Sequence, residues 1–160
     1  MTLIRPERPP HKVLARGGPL MCNVADPTVL WAWAVRHLER LIEELHFHQV
    51  RTGSVAIAIG WQDGEPTGGA ARLDCPSDRF ENLLGAAREA LRRAYVPDAV
   101  ATHMHVVALD SCRAHGCRTS LFDAPDPKRD AVAAVEAAVN DRYGRFTVRS
   151  GMPVLIGGVI

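Results

Sequence analysis

The sequence predicts an α+β fold: a four-stranded sheet with two helices on one face, in the order β-α-β-β-α-β, followed by a C-terminal loop and helix. Three observations carry this reading. Leu30, Ala34, Leu38, Leu41 and Leu45 recur at helical spacing behind Asp26-Pro27. Residues 54–61 alternate between large apolar and small side chains. A second amphipathic segment and a second alternating one then follow over residues 77–109.

Taken in order, residues 1–10 hold three prolines and no periodicity, and read as a linker. His11 to Leu20 has room for a short first strand, which Gly17-Gly18-Pro19 is expected to break. Asp26 suits an N-cap and Pro27 the first helical position. The helix they open runs about five turns, with Trp31, Val35 and Ile42 flanking its apolar stripe and Arg36, Glu39, Arg40, Glu43 and Glu44 on its other side. Ser54 to Trp61 is the second strand. Val55, Ile57, Ile59 and Trp61 form its core face; Ser54, Ala56, Ala58 and Gly60 leave the opposite face nearly bare. Residues 62–66 turn the chain, and Gly68 to Leu73 returns as the third strand of a hairpin.

Ser77 or Asp78 is the expected cap of the second helix, whose buried stripe is Phe80, Leu83, Leu84, Ala87 and Leu91, and Pro97 ends the region. Val100 to Leu109 is the fourth strand. Met104, Val106 and Ala108 point to its core side, and His103, His105 and Val107 to the open side. Residues 110–125 read as a loop. A third helix starts at Asp126-Pro127, carries Val132, Val135 and Val139 on one face, and stops at Gly144. The expected organisation is therefore a linker over 1–10, a domain over 11–110, and a loop, short helix and tail over 111–160.

Composition narrows the function classes. The 160 residues are 47% apolar and 23% charged, which is ordinary for a globular chain with a sizeable core. Nineteen Lys and Arg against 18 Asp and Glu leave a formal charge of +1, so net charge drives no indiscriminate binding to nucleic acid. The most basic stretch is residues 1–20, with Arg5, Arg8, Lys12 and Arg16 against Glu7. No apolar run approaches a membrane span, and the charged, proline-bearing N-terminus lacks the apolar core of a signal peptide. A cytoplasmic protein is expected, with Cys22, Cys75, Cys112 and Cys117 reduced.

The sequence contains no P-loop, GxGxxG, HExxH or GxSxG, and no closely spaced carboxylate pair of the kind two-metal phosphoryl transfer requires. No cofactor and no catalytic residue are expected. Cys112, His115 and Cys117 are the nearest approach to a metal motif, with His103 and His105 as further ligands. Their spacing matches no established zinc signature, and a small zinc protein is kept as an alternative. Ser120-Leu121-Phe122 is either a hydrophobic anchor for its loop or a linear peptide that docks into a partner. The polar, proline-rich flanks favour docking. The open sheet face is a solvated or homodimerising surface, or a platform on which a phosphodiester backbone rests, with Lys12, Arg16 and Arg72 as candidate contacts.

The order of elements and several strings resemble the little-finger domain of Y-family (DinB/UmuC-type) translesion DNA polymerases over roughly residues 11–110. His11-Lys-Val-Leu-Ala-Arg16 is similar to the family's Lys-Ser-Ile-Gly-Arg segment, with Lys12 and Arg16 matching. Val24-Ala-Asp-Pro27 resembles the start of the family's first helix. The Asp63 turn and Leu73 to Asp78 resemble its hairpin and return. Thr119-Ser-Leu-Phe-Asp123, a proline-rich linker, a helix and Asp141-Arg-Tyr-Gly-Arg145 resemble the UmuC-type C-terminus, where a Gln-Leu-Ser-Leu-Phe peptide binds the sliding clamp. Here Arg118 and Thr119 stand where Gln and Leu would be, and Ser120, Leu121 and Phe122 match.

The resemblance implies non-catalytic, sequence-independent binding of duplex (primer–template) or damaged DNA in translesion repair and the SOS response. The DNA contacts would be Lys12, Arg16, Arg72, His103 and His105. It further implies the sliding clamp and a separately encoded polymerase catalytic core as partners, a nucleoid-associated location, and no membrane. The family's catalytic palm has no counterpart in these residues, so a detached little finger without enzyme activity is expected. The alternative from another class is a homodimerising interaction module.

Overall fold

Asp26 opens the first helix as its composition requires. Its carboxylate accepts the Thr28 N–H at 2.7 Å, Pro27 takes the first turn, and helix α1 runs Pro27–His48 until Gln49 turns left-handed at φ 52°. The computed structural model describes residues 13–114, 116, 127–144 and 147–148. The other elements are β1 (Leu14–Val24), β2 (Val50–Trp61), β3 (Thr67–Ser77), α2 (Phe80–Ala94), β4 (Ala101–Leu109), β5 (Cys112–Arg113) and α3 (Pro127–Tyr143). The chain divides into two compact units, Met1–Arg118 and Thr119–Ile160. The first unit carries the α+β fold and includes β5.

The main sheet is antiparallel in the order β1-β4-β2-β3, so the last long strand is inserted between the first and second. One face is apolar and covered. Val55, Ile57, Ile59, Met104, Val106 and Ala108 are fully buried, together with Leu30, Leu38, Leu41 and Leu45 of α1 and Leu83 and Ala90 of α2. Helix α1 lies against β1, β4 and β2, and α2 lies against β3 and β2. A core of this kind draws on about 1.5–3 kcal/mol for each fully buried large apolar side chain.

Four local expectations are corrected. Gly17-Gly18-Pro19 does not break β1, which pairs with β4 through Pro19; register shifts only between Pro19 and Val24. The strand lies at the sheet edge, where a proline removes no bond between inner strands. Gly17 belongs there sterically, because a Cβ at that position would collide with the Met104 carbonyl oxygen. The N-cap of α2 is Arg79, neither Ser77 nor Asp78. Ser77 ends β3, yet its hydroxyl still accepts the Arg79 N–H at 3.1 Å and the Asn82 amide at 3.0 Å. The segment after β4 is not wholly loop: Asp110 turns left-handed at φ 52°, and Cys112 and Arg113 pair back onto Arg51 and Val50. Finally, Cys112 is disulfide-bonded, whereas Cys22 and Cys75 are free.

In the second unit, α3 stops at Gly144, whose φ of 108° suits glycine. The Asn140 side chain then holds the returning chain by donating to the Val148 carbonyl (3.0 Å) and accepting its N–H (2.9 Å). Val132 and Val135 are exposed on this helix. Among the described residues, no helix is long and apolar enough to cross a membrane.

Adjacent glycines of β3 face opposite layers. Gly69 faces α2, and a Cβ there would collide with the Ala90 carbonyl and reach 2.7 Å from Arg93 Cβ; Gly68 meets nothing closer than the Ile57 carbonyl at 3.7 Å. Gly69→Ala is expected to destabilise by about 1–3 kcal/mol through overpacking, and Gly68→Ala to stay within about 0.5 kcal/mol. Urea melts of the two variants check this directly; equal midpoints would show that α2 does not sit against β3 at Gly69.

Candidate nucleic-acid interface

The sheet face turned away from the helices is built from paired rows of small side chains. One row runs Ala15, Val107, Ala56, Ala70; the next runs Gly17, His105, Ala58, Gly68; a third runs Pro19, His103, Gly60. Residues opposite one another in an antiparallel ladder share a face, so the burial of Met104, Val106, Ile57 and Ile59 forces these rows outward. His103 and His105 are exposed on β4 and are the only long polar side chains in the three rows. Thr102 anchors the end of the strand by donating its hydroxyl proton to the Gly60 carbonyl at 3.1 Å, and its oxygen lies 3.0 Å from His103 Nδ1.

A fourth row, Leu109, Ser54 and Arg72, closes one end of the face. Ser54 donates to Asp110 at 3.1 Å, and the highly exposed Arg72 guanidinium stands 3.8 Å from the same carboxylate. Beneath this end the buried Thr52 hydroxyl donates to the Leu109 carbonyl at 2.6 Å, which fixes the path of the strand into Asp110.

Arg16 is not on this face. It pairs in register with the buried Val106, so it points to the helix side, where its guanidinium bonds Glu44 of α1. The same carboxylate lies 3.6 Å from His48. The sequence reading placed Arg16 with Arg72 because strand phase is not readable through Gly17-Gly18-Pro19. Lys12, Ser120, Leu121, Phe122, His115 and Cys117 lie outside the described residues. The disulfide at Cys112 removes the thiolate on which the zinc alternative depended. The structure therefore gathers Arg72, His103 and His105 on one face and sends Arg16 to the other.

The model of the impB/mucB/samB family C-terminal domain matches residues 21–129, more than half of the chain. The chain belongs to this family. Among solved structures it is similar to the Dbh DNA polymerase of a post-insertion binary complex, with a TM-score of 0.54 and 11% identity over 63% of this chain and 29% of that one. DinB from Sulfolobus solfataricus is a further neighbour, with a TM-score of 0.47 and 14% identity over 60% of this chain and 28% of that one. The Dbh likeness is one of fold, and together with the family match it supports a little-finger-like domain. The chain matches 29% of the length of that polymerase. No curated protein matches the chain.

Sequence reasoning overlooked one polar group that the fold buries. His37 is only 4% exposed on α1, stacks on Trp33 at 5.8 Å between ring centres, and has no hydrogen-bond partner for either ring nitrogen. Its signal was present, since position 37 continues the apolar spacing from Ala34 to Leu41. Burial, and then the charges of Arg40, Arg36 and His105, lower its pKa from 6.5 to about 4. The folded value lies below the unfolded one, so the neutral ring's contribution is complete above pH 6.5 and is lost as pH falls toward 4. Across that window stability should decline by up to about 1.4 kcal/mol per pH unit from this group. His37→Leu should remove this part of the slope in urea melts between pH 7 and 4.5. Parallel curves for the two proteins would show that His37 is not the group that titrates.

Proposed function

We propose that this chain is a non-catalytic DNA-binding domain that rests its open sheet face on duplex DNA, without reading sequence, in support of translesion synthesis in the cytoplasm. The observation that carries the reading is the bareness of that face: three rows of alanine, glycine and proline, interrupted only by Val107, His103 and His105. Small side chains permit close approach of a phosphodiester backbone, and contacts to phosphate position a protein without specifying bases. Membership of the family and the little-finger-like fold support the same assignment. Arg72, His103 and His105 are the proposed contacts on the face, and Lys12 a further one ahead of β1.

With one guanidinium among the described residues of the face, affinity should be low and strongly dependent on salt. Fluorescence anisotropy of a labelled duplex across several salt concentrations gives the test. Arg72→Ala is expected to flatten the log–log salt slope by about one unit, whereas Arg16→Ala leaves it unchanged because Arg16 faces Glu44. Ala58→Glu sets a carboxylate in the middle of the platform and should abolish binding while the melting curve is preserved. Undiminished binding by Ala58→Glu would remove the open face from the interface. A dimer that Ala58→Glu dissociates, with no binding to DNA, would favour the homodimerising module instead.

Ser120, Leu121 and Phe122 are proposed as a docking peptide for the sliding clamp, with a separately encoded polymerase core as the catalytic partner. Two adjacent apolar anchors often dominate a peptide interface, so the double change Leu121→Ala, Phe122→Ala should cost at least about 2 kcal/mol of clamp binding. Its effect on folding should be negligible. Clamp affinity by surface plasmon resonance and a parallel melt separate docking from loop anchoring: a lowered midpoint without clamp binding by the parent protein would decide for the anchor.

A further inference from the structure

We propose that His103 and His105 form a site for a divalent transition-metal cation of the zinc and copper class, standing on the open sheet face with free coordination positions turned outward. The proposal deepens the DNA-binding reading, and only its final arm rests on that reading.

The geometry follows from the strand. Met104 between them is fully buried, so both imidazoles leave β4 on the same face. Residues two apart on a strand are separated by about 6.6 Å, a gap that two side chains of this length close by leaning toward one ion. Their neighbours across the ladder are small. His105 is flanked across the ladder by Gly17 and Ala58, and His103 by Pro19 and Gly60. A Cβ at Gly17 would come within 2.8 Å of His105 Nδ1, so the glycine is what leaves that ring its place.

Hydrogen bonding sets the tautomer of one ligand. The Thr102 hydroxyl has a single proton, which it donates to the Gly60 carbonyl. Toward His103 its oxygen can therefore only accept, and the His103 Nδ1 beside it carries the proton. That leaves Nε2 as the nitrogen with a lone pair, the tautomer a metal-bound histidine needs, with its other nitrogen fixed by an outer partner. Imidazole nitrogen suits zinc and copper rather than calcium or magnesium.

Among the described residues, no third His, Cys, Asp or Glu joins the pair. Two neutral imidazoles leave the cation its full charge and at least two open positions in a four-coordinate arrangement. Phosphate oxygens of DNA lying on the platform would fill them. Such an ion supplies the positive charge that the three rows of side chains lack.

Isothermal calorimetry with zinc ion alone, in a non-chelating buffer at pH 7.5, tests the site on the full chain. His103→Ala and His105→Ala should each weaken the tightest site at least tenfold. A His46→Ala, His48→Ala control should leave that site intact, because those histidines lie by Asp78 and Glu44. Electron paramagnetic resonance with copper ion should show coupling to two imidazole nitrogens in the parent protein and to one in each single variant. Both residues are exposed, and matching melting curves would establish that the variants fold. No zinc binding at millimolar concentration, or equal binding by His103→Ala, His105→Ala, would overturn the site. In the last arm, zinc should tighten duplex binding by the parent protein and not by that double variant. Zinc bound at the two histidines without any change in duplex affinity would overturn the bridging role alone. If DNA is not bound with or without zinc, the DNA reading fails and calorimetry still judges the site.

Discussion

Everything in the first unit depends on one face of β2 and β4 being sealed under two helices. Val55, Ile57 and Ile59 on one strand and Met104, Val106 and Ala108 on its neighbour are fully buried, and both strands are interior to the sheet. Because side chains alternate with a period of two, sealing those positions leaves no freedom for the others. Ala56, Ala58, Gly60, His103 and His105 must face outward. A one-residue slip would exchange the two sets and expose the whole core, which is why this register is strongly specified.

The charges are partitioned between the layers. On the helix side, Arg16 and His48 lie by Glu44, and Arg51 and His46 by Asp78. On α2, Glu89 receives hydrogen bonds from Arg92 and Arg93, which hold its carboxyl down at about 2, while Arg93 also reaches the Ala70 carbonyl of the edge strand at 2.6 Å. Exposed pairs of this kind contribute little to stability. Their effect is to neutralise the helical surface. The open face is left with Arg72 and Asp110 at one end and two histidines near its middle. Such a face offers close approach and few charges, in contrast to a surface that attracts nucleic acid through a broad positive field.

Stability and the platform also meet at His37 and at the glycines. His37 occupies a position of the apolar stripe with neither ring nitrogen bonded, so α1 carries a group whose protonation opposes its own burial. Gly17 and Gly69 act in the opposite sense: each removes a side chain where two pieces of backbone must come close, one between β1 and β4 and one between β3 and α2. The first clears space for His105, and the second lets α2 settle onto the sheet edge.

By itself the sequence determined the elements whose periodicity is uninterrupted. Helix α1, with its Asp26 cap, and the alternation through Val55–Trp61 and Met104–Ala108 were legible, because each is a local pattern that only one secondary structure can bury. The outward direction of His103 and His105 came with that alternation. Only the tertiary structure decided the rest. Gly17-Gly18-Pro19 carries no hydrophobic phase, so neither the continuity of β1 nor the side on which Arg16 emerges could be read until Val106 paired opposite it. The return of Cys112-Arg113 onto β2 is a two-residue pairing set by the turn at Asp110, far from its partner in sequence. The platform itself is an assembly of Gly17, Ala58, Gly60 and Gly68 from three strands, residues that say nothing singly and become a surface only when the sheet places them side by side.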